Sequence, residues 1–177
     1  MLIWEYIIDL LGFTFNFSPG DWLILDRKDL IEKIKEFCYK YNPPSKRHHG
    51  NFKSDFIKFL TRNDCRVIDE YEITYRNVKA NSDIVEQRGF IDFFVKYKLI
   101  RIAIEFDNGN LLRLKSISKL LQSDSNYLIG IVRGNQGYNV RYQNIRRITY
   151  VMKRLQLQNR SILLIINSDK TASWIKN

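Results

Sequence analysis

Two cysteines in 177 residues are too few for a disulfide scaffold, and Cys38 and Cys65 both sit in apolar context that suits core positions in a reducing, intracellular compartment. Histidine is equally scarce. His48-His49 stands beside Lys46-Arg47 in a proline-containing loop, with no third ligand at zinc-like spacing, and reads as solvated. Gly130, Gly134 and Gly137 lack a Gly-Lys-Ser/Thr ending, so there is no phosphate loop, and no Ser-His-Asp arrangement supports serine chemistry. The apolar start, residues 1–12, carries Glu5 and Asp9, has no basic n-region, and stops well short of the roughly 20 residues a span requires. It reads as neither a signal peptide nor a membrane segment, and no membrane partner is expected.

Acidic residues are also in deficit. Lys+Arg number 29 against 19 Asp+Glu, a net charge of +10, which suits a polyanion such as nucleic acid without separating DNA from RNA. What the chain has in plenty is apolar and aromatic residues, 45% and 14%, enough for one well-buried core. A single domain over 1–177 is expected, with an N-terminal helical region at 1–50, a core at 51–133, and a basic helix with a final strand at 134–177.

Leu30, Ile31, Ile34, Phe37, Cys38 and Tyr41 recur at the helical period, and Pro43-Pro44 stops it, so a helix is predicted over 28–41. A loop to Gly50 and a helix over 51–62 with Phe52, Phe56 and Phe59/Leu60 inward follow. The period then changes to two, giving a strand over 67–75, a polar loop over 76–87, and a hairpin of 91–97 with 100–106 about Lys98-Leu99. Asn108-Gly-Asn110 supplies a turn and helix cap, residues 111–121 a helix with Leu114, Ile117 and Leu121 on one face, and 127–133 an interior strand. A helix over 141–157 with an Ile145, Ile148, Met152, Leu155 stripe and a strand over 161–167 complete the order α-α-β-β-β-α-β-α-β. The fold class is α/β (α+β mixed), a central mixed β-sheet flanked by helices.

Three carboxylates interrupt the apolar hairpin. With 97 facing 100, Asp92 faces Glu105, with Cβ atoms about 5 Å apart, where like charges are destabilising unless a cation lies between; a three-residue loop would instead move Asp92 to the opposite face from Glu105. Glu105 and Asp107 share a face of their strand with Arg101 and Ala103, while Ile102, Ile104 and Phe106 take the other. Oxygen donors so gathered suit Mg²⁺ or Mn²⁺, which can activate water and stabilise charge at phosphorus. In the alternative reading, Asp107 with Asn108 makes a turn and caps the next helix, and Glu105 and Asp92 pair with Arg101 or Lys96.

Gly89-Phe-Ile-Asp92, then Ile104-Glu-Phe-Asp107, then a helix and an apolar strand, resemble the core of the PD-(D/E)XK nuclease superfamily over roughly 52–133. The resemblance implies a restriction-endonuclease-like fold, metal ligation by Asp92 and Glu105, and a supporting acid on the preceding helix, for which Asp55 stands in place, with Glu70 and Glu72 as alternatives. The usual lysine two positions after the second acid is Asp107 here, as in the very-short-patch-repair-like branch. Asp107 is then a ligand or water-positioning group, and Lys115 or Lys119, four apart on the next helix, takes the lysine's place. The function so implied is a Mg²⁺-dependent endonuclease, a phosphodiester hydrolase acting on DNA in preference to RNA.

Arg113, Arg141, Arg146, Arg147, Lys153 and Arg154, with Tyr138, Tyr142 and Tyr150 interleaved, are the expected nucleic-acid contacts. Trp4 and Trp22 are candidates for a homodimer interface, since duplex cleavage needs two sites. An inactive nucleic-acid-binding module of the same fold, or an RNA endonuclease of the cap-snatching kind with Lys119 as its helix lysine, are the alternatives.

Overall fold

The computed structural model describes residues 19–41, 48–81, 83–134, 139–157 and 159–176, with side chains from 28 and again from 50. The N-terminal dozen, Trp4, the Trp22 side chain, the histidine side chains and Tyr138 therefore lie outside what is described. Two compact units divide the chain, Met1–Ile34 and Lys35–Asn177. In the first, helix α1 begins at Pro19, nine residues ahead of its expected start, and it continues to Lys40. No helix among the described residues is long and apolar enough to cross a membrane.

The second unit is a six-stranded mixed sheet with strands in sequence order: β1 (Arg66–Val78), β2 (Ile84–Tyr97), β3 (Ile100–Asp107), β4 (Tyr127–Val132), β5 (Ser161–Ile166) and β6 (Thr171–Lys176). β1, β2 and β3 form an antiparallel meander, β3, β4 and β5 run parallel, and β6 returns antiparallel to β5. Both parallel steps are spanned by helices, α3 (Leu114–Gln122) and α4 (Val140–Leu155), as parallel pairing demands.

Helix α2 (His48–Arg62) buries Phe52, Phe56 and Leu60, spaced four apart, on one face of the sheet. There Phe52 stacks on Phe106 with ring centroids 4.0 Å apart, and Phe56 meets Phe93 edge-on at 5.2 Å. The helix ends where Asp64 takes a left-handed φ of 58° and the Cys65 N–H reaches the Leu60 carbonyl at 3.1 Å, a Schellman closure. On the opposite face α3 and α4 supply Ile117, Leu120, Leu121, Ile148, Val151 and Met152, packed with Ala103, Leu112 and Leu128. Phe106 on one face and Ala103 on the other match the alternation expected of β3.

The hairpin register is as expected: Tyr97 pairs with Ile100, and Lys98 adopts a left-handed φ of 52° that closes the two-residue turn without an Asn-Gly pair. Elements besides α1 differ as well. β2 starts at Ile84, so most of the expected loop 76–87 is ribbon, pairing with a β1 that extends to Val78. α2 begins at His48, inside the expected loop. α3 begins at Leu114, with Arg113 rather than an asparagine of 108–110 at its cap. β6 was not expected, because Thr171–Lys176 is short, half polar and lies on the sheet edge, where no periodic apolar face is needed.

Candidate active site

The central feature is a break in the sheet. Hydrogen-bonded pairing of β2 with β3 runs from Tyr97↔Ile100 to Phe93↔Ile104 and stops, so Asp92 and Glu105 flank the first step at which the two strands part. The β1–β2 ladder is interrupted at the same level. It skips Glu70 and Asp92, and Glu70 takes a left-handed φ of 55°. Such an irregularity re-aims side chains. Ile91 packs into the α3–α4 core and Phe94 stacks at 4.2 Å on Tyr71, which borders the same core, while Phe93 faces α2.

Side chains bridge the opening. The Asp92 carboxylate accepts the Phe106 N–H at 2.8 Å, replacing a strand-to-strand bond. Lys119 reaches in from α3, its Nζ 2.5 Å from Glu105 Oε1 and hydrogen-bonded to the Phe90 carbonyl. Gly89 lies under the Tyr75 ring, which a Cβ there would meet at 3.0 Å, while Lys119 Cδ at 3.6 Å would be in ordinary contact. Glu105 is fully buried and Lys119 nearly so, 0% and 6% exposed. Burial and then the neighbouring Asp92 charge push the Glu105 carboxyl up to about 7, against the opposing pull of Lys119 and the Ser116 hydroxyl.

A divalent cation can be judged against the donors present. Glu105 Oε2 is buried and has no hydrogen-bond partner among the described residues, and the Asp92 charge acts directly on that carboxyl. Two hard oxygen donors with an unmet coordination position fit Mg²⁺ or Mn²⁺, which binds through one or two carboxylates and fills its remaining positions with water and phosphate oxygen. Among the described residues no group of three or more His, Cys, Asp and Glu side chains is gathered for a metal.

The expected four-acid cluster is therefore not assembled, for reasons local to each residue. Asp107 lies at the end of β3, 5% exposed, and its carboxylate accepts the Arg113 N–H at 2.9 Å and the Arg113 Nε. It organises the turn into α3, the role its alternative reading gave it. Asp55 is on the α2 side of the sheet, away from Glu105, and exposed; it pairs with Lys58 at 3.6 Å and accepts the Tyr41 hydroxyl at 3.5 Å. Glu70 pairs with Lys53 at 3.0 Å, and Glu72 is exposed. Arg101 pairs with Asp124 and Lys96 is exposed, so neither neutralises Glu105. Lys115, expected beside Lys119, is exposed, because the inward side of α3 runs through Ser116, Ile117, Leu120 and Leu121.

Sequence reasoning missed Asn144. It is fully buried on α4, accepts the Leu112 N–H at 2.8 Å, and donates to the carbonyls of Asn110 at 2.9 Å and Val140 at 2.8 Å. It thereby clamps the loop that carries Arg113 to Asp107. Its signal was an asparagine in line with Val140, Ile148, Met152 and Leu155 on an otherwise apolar stripe. Asn144→Ala leaves a buried N–H and a carbonyl unpaired, and a loss of about 2–4 kcal/mol in urea unfolding is expected. Gly130, paired in register with Glu105, admits Leu112 of the same loop: a Cβ at Gly130 would meet Leu112 Cδ1 at 2.5 Å.

Beyond β3 a hollow of 410 Å³ is lined by Phe106, Asp107, Asn108, Gly109, Leu111 and Arg113. A groove of 470 Å³ begins at Leu114 and is lined by Ala80, Gln143, Arg146, Arg147 and Tyr150. Arg141, Arg146, Lys153 and Arg154 are exposed on α4, with Arg146 5.8 Å from the Tyr142 ring centre. Arg147 also donates to the Leu112 carbonyl at 2.9 Å. Comparison with family models, curated proteins and solved structures found no match.

Proposed function

We propose that the chain is a metal-dependent endonuclease of the PD-(D/E)XK type, with a restriction-endonuclease-like fold, that hydrolyses phosphodiester bonds, in DNA by preference. The observation that carries this reading is the trio at the sheet opening, two carboxylates of adjacent strands with a buried lysine on one of them. Asp92 and Glu105 would hold Mg²⁺ or Mn²⁺, which when bound supplies Lewis acidity and a water of lowered pKa. Lys119 opposes the burial and the Asp92 charge that disfavour ionised Glu105, and offers a cation to the charge that develops on phosphorus or to the attacking water. It fills the place of the lysine absent at 107. The sequence order of helix, three antiparallel strands, helix and parallel strand supports the same family. Arg146 and the other exposed cations of α4 suit the flanking phosphates.

Plasmid digestion with Mn²⁺ by the wild type and by Asp92→Ala tests this, with single-stranded DNA and RNA run in parallel. Cleavage by the wild type that Asp92→Ala abolishes is the expected result; equal rates would sink the site. A second reading, a nucleic-acid-binding module without chemistry, draws on the engagement of Asp107 by Arg113, which leaves two acids rather than three. Titration calorimetry separates the two: Mn²⁺ binding that vanishes in Asp92→Ala and Glu105→Gln belongs to the enzyme, and its absence in the wild type to the module.

A further inference from the structure

The parting of β2 from β3 leaves a free strand edge, and its residues are complementary to themselves. Among the described residues, Ile84–Ile91 pairs with β1 alone. Arg76 turns its backbone away from β2, its N–H to Gln122 Oε1 at 3.0 Å and its carbonyl to Gln122 Nε2 at 2.9 Å. Its cross-strand partner is Glu86. Antiparallel alternation then directs the main-chain groups of Glu86, Arg88 and Phe90 to the open edge. The Phe90 carbonyl, which Lys119 caps, points the same way.

Apart from Lys119 at the Phe90 carbonyl, nothing among the described residues blunts that edge. Ile84, Val85 and Phe90 are 39%, 40% and 53% exposed, and Glu86 and Arg88 are exposed as well. An exposed edge of this kind is a template for another strand. We propose that the occupant is a second copy of this chain, paired antiparallel about a two-fold axis at Gln87. In that register Glu86 faces Arg88 of the partner subunit twice, Ile84 faces Phe90, and Val85 lies over Gly89, where no side chain competes. Moving the axis to Glu86 would oppose two glutamates, and moving it to Arg88 would oppose two arginines, so charge selects the register. The two units would share one continuous sheet. The inference is independent of the nuclease reading, since none of the side chains it pairs is Asp92, Glu105 or Lys119.

Sedimentation velocity over a wide concentration range tests it, on the wild type, Arg88→Glu, Glu86→Arg and the double exchange, each checked for native circular dichroism. The wild type should dimerise, and each single exchange should weaken the dimer at least about tenfold by replacing two attractive contacts with two repulsive ones. The double exchange should restore it. A wild type monomeric throughout, a single variant that dimerises as tightly as the wild type, or a double exchange as weak as the singles would each overturn the proposal.

Discussion

Lys119→Met is expected to destabilise the metal-free protein by about 3–5 kcal/mol at pH 8, the usual consequence of leaving one member of a buried ion pair without its partner. The dependence on pH gives the test its sign. Glu105 stands at about 7, above its ordinary value of 4.5, because burial and Asp92 outweigh Lys119. A carboxyl raised in this way contributes stability that is fully present below pH 4.5 and is lost as pH rises through about 7. Removing Lys119 takes away the principal opposing charge, so the carboxyl rises further and the loss at alkaline pH deepens. Near pH 5 Glu105 binds its proton in either protein and the gap should narrow. Urea unfolding in EDTA at the two pH values reads this, and a gap that does not change with pH would remove Glu105 from the account. Glu105→Leu in the Lys119→Met background should recover much of the stability, since an apolar pair of similar volume can replace a buried ion pair. If the proposed chemistry is right, the same Lys119→Met variant should lose about 100- to 1,000-fold in cleavage rate, the scale for removing one aimed donor from a transition state.

The hairpin shows what a period of two can and cannot convey. Alternation along Arg101–Asp107 was enough to assign Ala103 and Glu105 to one face and Phe106 to the other, and the register followed from placing Tyr97 opposite Ile100. Alternation says nothing of where a ladder stops. That Asp92 and Glu105 sit at the opening, and that Asp92 takes the N–H of Phe106, depends on the divergence of β3 toward β4 and on the skipped step at Glu70. Helical spacing likewise put Lys115 and Lys119 on a common side, but only Lys119 turns inward to Glu105, and Lys115 is exposed. Asp55 was assigned by its place in the order of elements, and α2 carries it on the wrong side of the sheet. The polar stretch 76–87 read as a loop because a ribbon paired on one side and solvated on much of its surface needs few apolar residues.

Phe52→Ala should cost about 3–5 kcal/mol in denaturant unfolding, the range for deleting a fully buried aromatic ring that the surroundings cannot replace. Phe52 is 0% exposed and stands at the meeting of α1, α2 and β3: it stacks on Phe106 at 4.0 Å and on Phe56 at 5.2 Å, and meets Tyr41 and Phe37 edge-on at 5.0 and 5.9 Å. Little there can collapse into the space, because its neighbours are rings already held by one another. The position of the cavity adds a second expectation. Phe106 lies between Glu105 and Asp107 in the chain, and its N–H is the one that Asp92 holds. Without the Phe52 ring against it, the Phe106 ring gains motion that passes to that N–H, loosening Asp92 before the rest of β3. Backbone amide exchange should therefore rise first at Phe106 in Phe52→Ala, while Ile102 and Ala103, farther from the cavity and paired on both sides, stay protected. Uniform exchange along β3 would show instead that the strand responds as one piece and that the aromatic layer does not hold the site in particular.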